Sequence, residues 1–155
     1  MKKVFLGGSY DNSDWRTKLT PLLDEHGINY LDISSKSTKF VEPDEIANYI
    51  NNEKDSKNDC DIHLYYIDED TCLMSTIAEA IQSAYLANTD GSGVSNCIFC
   101  VHNDGLSANQ ISDLKNVMSI ISKIAPNNSV CKFVNDMYEV ALCCAIDYRK
   151  IHLYG

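Results

Sequence analysis

The sequence predicts an α/β fold: a doubly wound, mainly parallel five-stranded sheet with helices on both faces, the flavodoxin/Rossmann-like three-layer sandwich. Three observations lead there. Short β-branched and aromatic runs alternate with amphipathic stretches in the order βαβαβαβαβα, the pattern of strands joined by right-handed crossovers. The run Ile62 to Ile67 is nearly continuously apolar, as expected of a strand buried on both faces beneath helices. The 155 residues are enough for one core and carry no internal repeat, so residues 1–155 are read as a single domain.

Each element has its own warrant. Lys3 to Gly8 is a β-branched and aromatic run that ends in Gly-Gly, a first strand and its turn. A helix is expected from Asn12 or Ser13 to about His26, with Trp15, Leu19, Leu22 and Leu23 on one face and Gly27 as its stop. Pro21 should kink that helix or open a second half capped by Thr20. Ile28 to Ile33 reads as the second strand, and Pro43 starts a polar helix reaching roughly Asp55. After the third strand, Thr76 to about Ala87 buries Ile77, Ala80, Ile81 and Ala84 at helical spacing. Asn96 to Val101 is the fourth strand, Leu106 to Ile124 an amphipathic helix ended by Pro126, Val130 to Val134 the fifth strand, and Met137 to Tyr148 the last helix.

Composition narrows the function. A formal net charge of -9, with no basic cluster longer than Lys2-Lys3, disfavours a long nucleic acid as partner. A small nucleotide stays open, because backbone N–H groups hold a phosphate without basic side chains. The apolar run after Lys3 is too short for a signal core or a membrane span, so a cytoplasmic protein without membrane contact is expected. Seven cysteines, most within apolar runs, fit reduced and buried thiols. Cys97 and Cys100 match a CxxC pattern, but residues three apart on a strand face opposite ways. The histidines are scattered, so no metal is expected, and His63 and His102 read as satisfied structural residues.

Three polar features converge on the carboxyl ends of the first and third strands, where open α/β sheets place their ligands. The first is Gly7-Gly8-Ser9-Tyr10, in which glycine admits close backbone approach and the next helix presents free N–H donors. It is neither GxGxxG nor a P-loop, so no nucleotide cofactor is implied. The second is the acidic loop Asp68-Glu69-Asp70, with Asp61 at the start of the strand; such a run is usually solvated surface, and Asp70 is the member best placed to share a ligand with Glu79. A carboxylate pair is what glycosidic cleavage needs, one as nucleophile and one to protonate or orient the leaving group. The third is Glu79. Thr76-Ile77-Ala78-Glu79 also matches a capping box, in which the glutamate would merely bond its own helix start.

Together, Val4-Phe5-Leu6-Gly7-Gly8-Ser9, Asp14-Trp15-Arg16, Cys60 to Ile67, Ser75-Thr76-Ile77-Ala78-Glu79-Ala80 and Ile98 to Val101 resemble the nucleoside 2-deoxyribosyltransferase-like superfamily, closest to its small bacterial and phage branch. The resemblance implies that Glu79 attacks C1′ of a deoxyribose, forming a covalent glycosyl-enzyme that passes the sugar to another base or to water. It implies further that Gly7 and Gly8 lie under the substrate, near Ser75, and that an acid before the third strand contributes, with Glu53 and Asp61 preferred over Asp55. Homo-oligomers that complete each other's pockets are also implied, with a small nucleoside or nucleotide as partner and no cofactor. Cys72-Leu73-Met74 stands where relatives have glycine and often tyrosine, and Phe5 where some transferases carry tyrosine. Other readings of the same cleft are a non-catalytic protein that binds or sequesters a nucleotide signal, and a TIR-like NAD glycohydrolase. A flavodoxin-like electron carrier fits the fold but not the first loop.

Overall fold

The computed structural model describes residues 2–8, 15–32, 57–71 and 74–154, without the side chains of 151–154. Five strands, β1 (Val4–Gly7), β2 (Tyr30–Leu31), β3 (Ile62–Ile67), β4 (Asn96–Val101) and β5 (Ser129–Phe133), form one sheet in the order β2-β1-β3-β4-β5, every pair parallel. Four helices are described: α1 (Trp15–Glu25), α2 (Met74–Ala87), α3 (Ala108–Ile124) and α4 (Met137–Tyr154). The chain moves outward from β1 to β2, then returns across β1 to β3. In open sheets such a reversal places a crevice at the carboxyl ends of the two strands flanking it, here β1 and β3.

Alternate strand residues divide the core in two. Val4, Leu6, Ile62, Leu64 and Tyr66 pack with Trp15, Leu19 and Leu23 of α1 and with Val140, Ala141 and Cys144 of α4. On the other face, Tyr65, Ile67 and Phe99 meet Ala80 and Ala84 of α2 and Leu114 and Ile121 of α3. All six residues of β3 are buried, so its uninterrupted apolar pattern reports a strand covered twice. Cys97 lies in the second core and Cys100 in the first, which separates the CxxC pair across the sheet. The six described cysteines are free thiols.

Several boundaries differ from the sequence reading. β2 is two residues long because Ile28 donates its N–H to Leu23 O, closing the end of α1 over Gly27, whose φ is +67°. Pro21 sits inside α1 as one continuous helix. The helix α2 starts at Met74, so Thr76 is its third residue and not a cap; the capping-box reading of Thr76 and Glu79 is thereby withdrawn. A true capping box occurs instead at α3, where Ser107 and Gln110 exchange side-chain and backbone bonds. β5 begins at Ser129, and α4 continues to Tyr154. The polar helix expected over Pro43 to Asp55 lies outside the described residues.

A buried chain of hydrogen bonds crosses the interface of β3 with α2. His63 Nε2 is 3.0 Å from Lys57 O, His63 Nδ1 is 2.8 Å from Ser83 Oγ, and Tyr65 Oη is 2.7 Å from the same oxygen. Burial, with the nearby Lys57 charge, pushes the His63 imidazole down to about 4, so it is neutral near pH 7. A carbonyl only accepts, so Nε2 carries the proton and Nδ1 accepts from Ser83. The serine oxygen in turn accepts from Tyr65 O–H, giving every polar atom of the chain a single direction.

The unfolded imidazole titrates near 6.5 and the folded one near 4. As pH falls from 6.5 to 4 the unfolded state binds a proton that the folded state refuses, which removes up to about 3 kcal/mol of stability. Urea midpoints measured across that window should drop more steeply for the wild type than for His63→Gln, itself less stable at pH 7. Parallel profiles would refute the assignment.

Candidate active site at the carboxyl ends of β1 and β3

Two glycines floor the crevice for different reasons. Gly7 pairs with Tyr65, and a Cβ on Gly7 would fall 2.6 Å from Tyr65 Cε1 and 2.9 Å from Cδ1. No other residue admits the ring so close. Gly8 has φ of +113°, a conformation L side chains rarely adopt, and a Cβ there would lie 3.5 Å from Thr76 Cγ2 and 3.7 Å from Tyr66 O. The turn after β1 therefore rests against the first turn of α2.

Arg16, in the first turn of α1, holds that turn from the opposite side. It is 2% exposed; its Nε donates to Leu6 O at 3.2 Å, and its Nη2 donates to Leu6 O at 3.2 Å and Gly8 O at 3.3 Å. Asp32, just past β2, brings Oδ1 to 3.9 Å of Nε, and the guanidinium lies 4.3 Å over the Trp15 ring. Carbonyls at the end of β1 thus find donors on a side chain. The sequence reading used Arg16 only as part of a resemblance. Its sequence signal is an arginine eight residues after a Gly-Gly strand end, at the start of the following helix.

Glu79 lies in the second turn of α2 and is half-buried. It shares a ridge with Thr76 and Ser83, both buried, at spacings of three and four. Ile77 and Ile81, on the other flank of the helix, pack into the core shared with α3. Glu79 therefore stands on the flank turned away from α3, the side on which Thr76 meets Gly8.

The acidic loop divides its labour. Asp68 Oδ1 accepts from Asp70 N at 2.9 Å, Thr71 N at 3.0 Å and Thr71 Oγ1 at 2.9 Å, so Asp68 builds the turn. The Glu69 carboxylate lies against Gly105, where a Cβ would collide with it. Asp70 is exposed at the rim. Ser75 is exposed in the first turn of α2, and Met74 is 87% exposed, so it does not wall the crevice.

Asp61 is not part of this arrangement. It precedes β3, accepts from Lys3 N at 3.0 Å, and sits at the amino edge of the sheet, about 20 Å from the carboxyl edge for a six-residue strand. Its place as a substrate-binding acid is corrected to that of a brace between the starts of β1 and β3. Ser9, Tyr10, Glu53 and Cys72 lie outside the described residues. Among the described residues no group of three or more His, Cys, Asp or Glu could hold a metal ion. His102 Nε2 is 3.1 Å from Asn135 O, a structural contact between the β4 and β5 loops.

A hollow of about 380 Å³ lies at the amino edge, lined by Thr89 to Ser95 and Asn128. Ser92 Oγ is taken up inside that loop, donating to Leu86 O at 2.6 Å and accepting from Val94 N at 3.1 Å. None of the described candidate groups lines it.

The family profile described as "Nucleoside 2-deoxyribosyltransferase like" matches residues 1–104, which include β1, α1, β3, α2 and β4. No curated protein and no solved structure matches the chain. No described helix is long and apolar enough to cross a membrane.

The glycine floor can be tested directly. Gly7→Ala forces a methyl into a ring that Ser83 holds in place, an overpacking expected to cost about 2 kcal/mol and to lower Tm by roughly 4–8 °C. Differential scanning calorimetry checks this; an unchanged midpoint would show that Tyr65 yields freely.

Proposed function

The chain belongs to the nucleoside 2-deoxyribosyltransferase-like family, and from that membership and the placement of Glu79 we propose that it cleaves or transfers at the N-glycosidic bond of a (deoxy)nucleoside or nucleotide. The observation that supports the proposal is the nearness of Gly8 to Thr76, since a Cβ on Gly8 would lie 3.5 Å from Thr76 Cγ2; it favours a Glu79 flank of α2 beside the switch point of the sheet. A carboxylate oxygen of Glu79 attacks C1′, the C1′–N bond breaks, and its electron pair leaves with the base. An acid at the rim, for which Asp70 is the described candidate and Glu53 the undescribed one, supplies the proton to the departing nitrogen or holds a sugar hydroxyl. A second base or a water then attacks C1′ and frees the glutamate. The first step leaves the glycosyl group on the enzyme, so the acceptor alone decides between transfer and hydrolysis.

Glu79→Gln keeps the size of the side chain and removes the nucleophile. It should lower base release from a panel of nucleosides and nucleotides by at least about a thousandfold, with the circular dichroism spectrum unchanged. Full activity in the variant rules out the mechanism. Tight nucleotide binding by the wild type with no free base on chromatography would favour a binding or sequestering protein, and release of nicotinamide from NAD a glycohydrolase.

A further inference from the structure

The buried hydrogen-bond chain grips the same helix that carries Glu79. Ser83 stands one turn beyond Glu79 on its ridge. The side chains of the other buried residues in this part of α2, Ala80, Ala84 and Ala87, offer only methyl groups to the sheet, while the Ala80 and Ala87 carbonyls accept from Cys97 Sγ at 3.5 Å and Asn128 Nδ2 at 3.0 Å. Methyl contacts bring helix and sheet close but are non-directional, and they constrain the roll of the helix about its own axis only weakly. Ser83 is the buried side chain here that ties the helix to β3 by directional bonds. Its hydroxyl is held from two sides by groups rooted in β3, His63 Nδ1 at 2.8 Å and Tyr65 Oη at 2.7 Å. Both partners are themselves braced, His63 by Lys57 O at 3.0 Å and the Tyr65 ring by its fit over Gly7.

We propose that Ser83 is a positioning residue: the Tyr65–Ser83–His63 chain fixes the roll of α2 on the sheet and thereby the place of the Glu79 carboxylate beside Gly7 and Gly8. The proposal rests on the reading of Glu79 as nucleophile. A carboxylate carried about 5–6 Å from the helix axis moves about 1 Å for a roll of roughly 10°, and a displacement of that size costs on the order of a hundredfold in rate. One floor residue and one wall residue of the crevice are then tied to each other through a single tyrosine.

Steady-state kinetics of base release, on the substrate the wild type turns over fastest, tests this. With kcat referred to the folded fraction measured by circular dichroism, Ser83→Ala is expected to lower kcat about tenfold or more while KM moves by less than about threefold, a split that weaker substrate binding would not produce. Tyr65→Phe removes one of the two bonds and should shift kcat in the same sense by a smaller factor. A folded Ser83→Ala protein with kcat within twofold of wild type, or with its loss confined to KM, overturns the positioning role while an inactive Glu79→Gln keeps the nucleophile in place. Absence of base release in the wild type, or full turnover in Glu79→Gln, overturns both. Where Ser83→Ala does not fold, Tyr65→Phe decides: a lowered kcat at constant KM supports the role, and an unchanged kcat refutes it.

Discussion

The edge of the Tyr65 ring occupies the volume that any side chain on residue 7 would need. Much of the architecture around the crevice follows from that contact. Without a Cβ at Gly7, the ring lies against the end of β1, its hydroxyl reaches Ser83, and α2 packs on the sheet through a surface of alanines. The next residue, Gly8, takes up a positive φ that turns the chain away beneath Thr76. Two adjacent glycines thus do separate work, one as empty space and the other as a backbone angle.

Arg16 complements them from the other face of the sheet. Burying a guanidinium is costly unless its donors are matched, and here the matching groups are the Leu6 and Gly8 carbonyls at the end of β1. The positive charge is shared with backbone oxygens and with Asp32. The arginine thereby stiffens the turn after β1.

The fold was legible where burial was complete. β3 and β4 are covered on both faces, so their apolar runs have sharp ends; β2 is an edge strand of two residues, and its neighbouring Ile28 is spent on closing a helix, which no local pattern reveals. Four residues, Thr76 to Glu79, fit a cap motif, yet the helix begins before them, because Thr76 is buried against a glycine turn that is distant in sequence. Asp61 was misplaced for a simpler reason: a residue that precedes a parallel strand stands at the amino edge, away from the ligand side, and strand direction alone argues against it. Arg16 was missed because a charged residue in an amphipathic helix reads as solvated, and its acceptors exist only once β1 has turned. Glu79 was singled out because it follows a doubly buried strand within a resemblance to a known family, and its half-buried place on the Thr76 and Ser83 ridge of α2 is what the fold adds.

Residues 1–104 carry the family signature, but they are not what stands alone as an object. The face of the sheet formed by Leu6, Leu64 and Tyr66 is roofed in part by α4, and Tyr148 on that helix is stitched to the opening of the chain, donating to Lys2 O at 3.4 Å and accepting from Asn29 Nδ2 at 3.1 Å. A polypeptide stopped at the edge of the signature would leave that face covered by α1 without α4, and β4 without its outer neighbour, an invitation to self-association. What evolution marks as shared and what physics requires for a closed globule have different lengths here, and the surplus is the roof.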